Sequence, residues 1–130
     1  MEIYTNANVL AGEELEWTPN ATIVVENGRI AAIERDTRRD GIDLRGGIVI
    51  PAFVDAHTHI GDTAAKELGV GLPVEEAVKP PHGLKHRFLR QLSEEELHAS
   101  IRQGLKEMLL SGVAAFGDFR EGGLAGVRAL

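Results

Sequence analysis

His57 and His59 stand one residue apart where a mostly apolar run, Ile48-Val49-Ile50-Pro51-Ala52-Phe53-Val54-Asp55-Ala56, comes to its end. Successive side chains of a strand point to opposite faces, so the two histidines share one with Asp55 and Phe53 while Thr58 faces away. Two neutral imidazoles on one side of a strand end are half of a divalent-metal site. Zinc is the first expectation, and iron or manganese also accept imidazole and carboxylate ligands, so the donors alone do not fix the metal. A catalytic zinc takes about three protein ligands plus water, so the pair alone falls short. A bare H-x-H is more often structural than ligating. Its placement where an apolar strand runs out, the end at which α/β folds put their sites, shifts that balance.

Five further residues are candidates for contacting a substrate. His82 and His86 lie in and beside Lys79-Pro80-Pro81-His82-Gly83, which reads as a long loop that can reach the strand end; a merely solvated role is the alternative. Asp118 and Arg120, with Glu121, follow a second apolar segment and can face the same pocket, or else serve as an ion pair or cap. Asp55 reads as a buried hydrogen-bonding partner and not as a ligand. Asp62 and Thr63 are candidates for orienting the site, and His98 reads as a helix-surface residue.

The elements that must hold these groups follow from the pattern. Residues 1–47 read as a small β unit. A strand over residues 2–10 and another at Ala21-Thr22-Ile23-Val24-Val25-Glu26 are followed by Asn27-Gly28, the pair suited to a type I′ hairpin turn. A returning strand begins at Arg29, and Ile42-Asp43-Leu44 makes a last short one. Trp17 is expected to pack on this sheet. Pro51 cannot donate to a ladder and marks the entrance to the next strand.

From residue 48 onward a strand, a helix and a second strand are expected. Ala64-Ala65-Lys66-Glu67-Leu68 reads as a helical turn. Ser93-Glu94-Glu95-Glu96 is a capping box, followed by Leu97, Ile101, Leu105, Met108 and Leu109 at helical spacing. Gly112 stands where a left-handed C-terminal cap belongs. Val113-Ala114-Ala115-Phe116-Gly117-Asp118-Phe119 then reads as a strand, which completes a parallel βαβ unit. Leu124, Val127 and Leu130 are spaced as in a further helix.

Composition excludes several classes. A net charge of −6 without a basic run argues against nucleic acid as a partner. The absence of cysteine excludes disulfides and thiolate chemistry. The residues after Met1 do not resemble a secretory signal, and the apolar run around Ile48 is too short for a bilayer. The expectation is a cytoplasmic protein with no membrane partner.

Pro51-Ala52-Phe53-Val54-Asp55-Ala56-His57-Thr58-His59 resembles the first-strand signature of the amidohydrolase superfamily, usually written PGF-D-x-HxH, with Ala52 where glycine is usual. Val25-Glu26-Asn27-Gly28-Arg29-Ile30-Ala31-Ala32-Ile33 is similar to the hairpin those enzymes carry in an N-terminal β domain. Residues 57–63 and 80–86 are most similar to the branch of cytosine-deaminase-like and chlorohydrolase-like enzymes. The resemblance implies an α/β fold. Part of a β-sandwich (residues 1–47) precedes the first βαβ part of a (β/α)₈ TIM-like barrel (residues 48–130), incomplete in this chain. It also implies His57 and His59 as metal ligands, a metal-activated water, and hydrolysis of a C–N bond, though not a peptide bond, in a small-molecule substrate. The family's two later histidines and its aspartate have no counterpart in this sequence.

Three readings remain open from sequence. The chain is the N-terminal portion of a metal-dependent amidohydrolase, inactive alone; or one part of a split enzyme completed by another chain; or a non-enzymatic structural remnant. All three predict open sheet edges and hence a homo-oligomer or a complementing chain.

Overall fold

The computed structural model describes residues 1–36, 38–120 and 123–130, so Glu121, one of the charged residues expected near the strand exit, lies outside the described residues. The chain forms two compact units, Met1–Pro51 and Ala52–Leu130.

The first unit is a five-stranded sheet. β1 (Glu2–Ala11) and β2 (Glu16–Glu26) are long antiparallel neighbours, and β3 (Arg29–Glu34) pairs with the far side of β2. The hairpin between β2 and β3 turns at Asn27 and Gly28, with φ of 50° and 72°, the conformation that this residue pair tolerates best. On its other edge β1 carries two short parallel strands, β4 (Ile42–Asp43) and β5 (Ile48–Val49). Alternate residues of β1 and β2 meet in a buried cluster of Ala7, Val9, Ala21 and Ile23, flanked by Tyr4, Val25, Ile33, Leu44 and Val49. Thr22 is fully buried yet satisfied: its hydroxyl donates to the Asp36 carbonyl at 2.7 Å and accepts from the Arg38 amide at 3.1 Å. Trp17, expected to pack on this sheet, is half exposed, at 50%.

The apolar run is two elements, divided at Pro51, where a new strand was expected to begin. β5 belongs to the first sheet, and the chain crosses Pro51 before β6 (Phe53–Thr58) begins. Proline interrupts the ladder because it has no amide hydrogen to give. The two units accordingly divide after Pro51, the residue expected to open the next strand and four residues beyond the 47/48 division of the two expected parts. Contrary to expectation, β6 is not buried. Phe53 is 55% and Val54 71% exposed, and Thr58 is its one buried residue. Among the described residues β6 has a single strand neighbour, β7 (Val113–Asp118), so most of its surface lacks a covering layer.

β6 and β7 run parallel, with Phe53 opposite Val113 and Thr58 opposite Asp118. Between them lie a 3₁₀ segment (Ile60–Ala65), α1 (Val74–Val78), α2 (Leu84–Leu89) and α3 (Glu94–Leu110). The helical turn expected at 64–68 therefore begins earlier and is 3₁₀. The loop expected at residues 79–83 is present, between two short helices. α3 begins as expected, with Ser93 Oγ accepting from the Glu96 amide and the Glu96 carboxylate accepting from the Ser93 amide. It ends before Gly112 at φ 81°.

The packed face of α3 is narrower than its apolar stripe. Ile101 is buried, but Leu109 is 70% exposed. Ser100 and Gly104, one turn apart, both meet the 3₁₀ segment, where Ser100 Oγ donates to the Gly61 carbonyl at 3.0 Å and accepts from the Ala64 amide at 2.9 Å. A Cβ at Gly104 would collide with Thr63 Oγ1 and Ile60, so glycine sets the spacing between these two elements. α4 (Gly123–Arg128) follows β7. No helix among the described residues is long and apolar enough to cross a membrane.

Candidate metal centre

The site is built from the exits of two parallel strands and the segments that follow them. β6 delivers His57, and His59 comes one residue after β6 ends, at φ −132° and ψ 65°, where the chain bends into the 3₁₀ segment. The two imidazole rings are 5.3 Å apart between centroids, at an interplanar angle of 60°. Both histidines are exposed. They line an open cleft of about 640 Å³ together with Asp55, Asp62, Thr63 and Lys85. That volume lies in the range of small-molecule pockets.

Phe119, directly after β7, touches both rings. Its own ring stacks on His57, with centroids 4.4 Å apart. Its carbonyl oxygen lies 2.8 Å from His59 Nδ1. A carbonyl has no proton to donate, so Nδ1 must carry the hydrogen of this bond, and a neutral His59 keeps its lone pair on Nε2. This is how metal-ligating histidines are usually held, with one nitrogen donating to a carbonyl or carboxylate and the other free to coordinate. Lys85 Nζ also approaches Nδ1, at 3.2 Å. Both atoms are donors in that tautomer, so this contact is not a hydrogen bond. The ammonium has a carboxylate partner in Asp62 Oδ2, 2.8 Å away.

Behind His59 lies a buried charge pair. Asp118 Oδ1 accepts from Thr58 Oγ1 at 3.0 Å and from the Ile60 amide at 2.8 Å. Its other oxygen lies 2.8 Å from Arg120 Nη2, with side chains only 4% and 6% exposed respectively. The Arg120 guanidinium rests directly against Gly61, where no Cβ would fit.

The other candidates are distributed as follows. Asp55 is exposed and not buried; its Oδ1 accepts from the His57 amide at 3.1 Å. Thr63 Oγ1 donates to the Ile60 carbonyl at 2.7 Å, which stabilises the 3₁₀ turn and leaves the hydroxyl proton engaged. His82 lines a separate cleft with Glu75, Glu76, Lys79 and Arg87. His86 Nε2 lies 3.0 Å from the Val78 carbonyl, which ties α2 to the end of α1. His98 is half-buried on α3. Sequence reasoning passed over Lys85 and Phe119. The signal for Phe119 was its position directly after the second strand: the parallel register sets it beside His59, and its amide donates to the Thr58 carbonyl at 2.8 Å.

The donor set fits a divalent metal in part. His59 offers Nε2 with its tautomer fixed, and His57 stands beside it. Among the described residues no group of three or more histidine, cysteine, aspartate or glutamate side chains gathers to hold an ion. Two imidazoles are a portion of a coordination shell.

The sequence profile of the amidohydrolase family matches residues 48–130, which comprise both strand exits and everything between them. The chain belongs to the amidohydrolase family. It is 40% identical over 133 residues to a provisionally named aminohydrolase of Methanothermobacter thermautotrophicus, covering all of this chain and 34% of that protein. It is 32% identical over 124 residues to the 5'-deoxyadenosine deaminase of Methanococcoides burtonii, covering 89% of this chain and 27% of the relative. The chain thus spans about a third or less of the length of these relatives. Among solved structures, a variant of the atrazine chlorohydrolase of Arthrobacter aurescens, complexed with zinc and atraton, superposes with a TM-score of 0.73 at 21% identity. That match covers 99% of this chain and 32% of the chlorohydrolase. At such identity the likeness concerns the fold.

Proposed function

We propose that this chain supplies the first two metal ligands, His57 and His59, of a hydrolase acting on a C–N bond of a small amino-substituted substrate, by hydrolytic deamination. The observation that carries the reading is the His59 ring, whose Nδ1 is engaged by the Phe119 carbonyl at 2.8 Å, which leaves the lone pair on Nε2 in a ring 5.3 Å from that of His57. A bound divalent metal supplies Lewis acidity that makes water nucleophilic near neutral pH, and zinc is the metal proposed. The roles of this chain's own residues follow from the contacts. His57 and His59 hold the metal, Phe119 packs against the first ring and orients the second, and Lys85 with Asp62 forms a charged wall of the cleft. Asp118 and Arg120 stand behind the ligands and not in the cleft, so contact with substrate is assigned to the cleft wall.

Because the described residues offer two imidazoles, the reading requires at least one further donor from outside them, in another segment or another chain. The exposed apolar residues Phe53 and Val54 on β6 support the same requirement, since a strand of this kind is ordinarily covered. Association of copies or with a complementing chain is proposed on that ground, and sedimentation tests it: a monodisperse monomer counts against it. The metal assignment is tested by zinc titration of the protein. Binding should weaken by more than about tenfold in both His57→Ala and His59→Ala. Equal affinity in the parent and both variants would remove the basis for the reading.

A further inference from the structure

We infer that the three consecutive residues Asp118, Phe119 and Arg120 act as one brace whose purpose is to fix the tautomer and direction of the His59 ring, with Asp118 as a positioning residue. The assignment of His59 as a ligand belongs to the function proposed above; the brace itself stands on contacts that involve no metal.

The argument begins with the bend. His59 leaves strand geometry, and although it stands at the N-cap of the 3₁₀ segment its side chain makes no capping hydrogen bond to that segment. The two residues that flank it are both tied to a single oxygen. Asp118 Oδ1 accepts from Thr58 Oγ1 on one side, at 3.0 Å, and from the Ile60 amide on the other, at 2.8 Å. One carboxylate oxygen thereby holds the side chain of the residue before the histidine and the backbone of the residue after it. The next residue along β7's exit, Phe119, receives the ring's Nδ1–H on its carbonyl and donates its amide to the Thr58 carbonyl. The residue after that, Arg120, neutralises the remaining carboxylate oxygen inside the protein, and Gly61 leaves the space that its guanidinium needs.

The chemistry of burial supports a dedicated role. A carboxylate that is 4% exposed loses most of its hydration, and a guanidinium that is 6% exposed must be buried beside it. Well-packed apolar residues of similar volume are often as stabilising as such a pair. An apolar pair, however, offers no acceptor to Thr58 and Ile60. What the carboxylate adds is a directed acceptor at the base of the histidine bend, in the position where groups behind a metal ligand orient it.

Two double variants separate this acceptor from the ion pair. Asp118→Asn with Arg120→Leu removes both buried charges and keeps a side-chain oxygen for Thr58 and Ile60. Asp118→Leu with Arg120→Leu removes the charges and the oxygen alike. The readout is the His59 tautomer, from long-range proton–nitrogen NMR of the metal-free protein in alkaline buffer, followed by zinc affinity. The asparagine pair should retain one tautomer, with hydrogen on Nδ1. The leucine pair should show exchange between tautomers and zinc binding weaker by about tenfold or more. A folded leucine pair with the parent tautomer overturns the brace. If the leucine pair does not fold, Thr58→Val, which keeps volume and ion pair but deletes one donor, must broaden or shift the His59 nitrogen signals; an unchanged spectrum there overturns it equally. The tautomer result is independent of metal. A brace seen without zinc binding refutes the function proposed above, whereas zinc binding with a freely exchanging ring refutes the brace.

Discussion

The two units of this chain are held together in different ways. In Met1–Pro51 the inner strands bring Ala7, Val9, Ala21 and Ile23 into one apolar cluster, and the polar residue most deeply buried there, Thr22, has both its donor and acceptor capacity used locally. In Ala52–Leu130 the strands leave most of their apolar side chains in the open, while the strand exits bury Thr58, Asp118 and Arg120. The first unit therefore spends its order on a core, and the second spends it at the site. The second arrangement costs more to build, because charged groups must be desolvated, and it yields something a core does not: a histidine ring paired with a backbone acceptor at the exit of a strand.

The largest effect that can break this contrast is removal of one partner of the buried charge pair. Arg120→Leu leaves the Asp118 carboxylate without its cation in a site that is 4% exposed, and such changes cost about 3–5 kcal/mol. The loss should be read by urea titration together with hydrogen exchange resolved by segment, so that each unit is followed by itself. It should fall on the second unit. A loss below about 1 kcal/mol would mean that the pair is hydrated in solution. The matching test in the first unit is Ile23→Ala, expected to cost about 2–5 kcal/mol because the side chain is 6% exposed in the cluster. Val54→Ala, on an apolar residue 71% exposed in the second unit, should change stability by no more than about 0.5 kcal/mol. Were Val54 as costly as Ile23, β6 would be covered in solution by something outside the described residues, which is the association proposed above.

The same contrast explains what could be read from the amino-acid sequence. His57 and His59 were legible as a pair because a strand's period of two puts them on one face whatever surrounds them. Asn27-Gly28, Ser93 with Glu96, and Gly112 were legible because each acts within a few residues of itself. Asp118 and Arg120 were visible as charged residues at a strand exit, but their burial against Thr58, Ile60 and Gly61 depends on which strand lies alongside and in what register. Lys85 and Phe119 were missed for that reason: what they do is set by the β6–β7 pairing and by where α2 sits. Pro51 was legible as the entrance to a new strand because proline cannot donate to a ladder, whereas the burial expected of the apolar run fails in β6, because hydrophobicity signals burial without saying in which sheet or under what cover.

The smallest effects concern the start of α3, the element that spans the second unit and whose local signals were clearest. Ser93→Ala removes the hydroxyl that accepts from the Glu96 amide, and loss of such a cap costs about 1 kcal/mol. Glu96 completes the box from the other side. Hydrogen bonds from the Ser93 amide, and then from its hydroxyl, hold the Glu96 carboxyl below its ordinary value of 4.5. A carboxyl whose pKa is lowered by folding binds its proton more readily in the unfolded chain, so its contribution is fully present above that ordinary value and is lost as pH falls through the lowered one. Glu96→Gln keeps an oxygen for the Ser93 amide and removes only the charge. The parent should therefore be the more stable of the two at neutral pH, by less than the Ser93→Ala effect, and the difference should close in acid well below pH 4.5. Thermal unfolding of both proteins across that range is the measurement. A gap that persists unchanged in acid would mean that the glutamate acts through its packing, and that the first turn of α3, unlike the exit of β7, owes nothing to a placed charge.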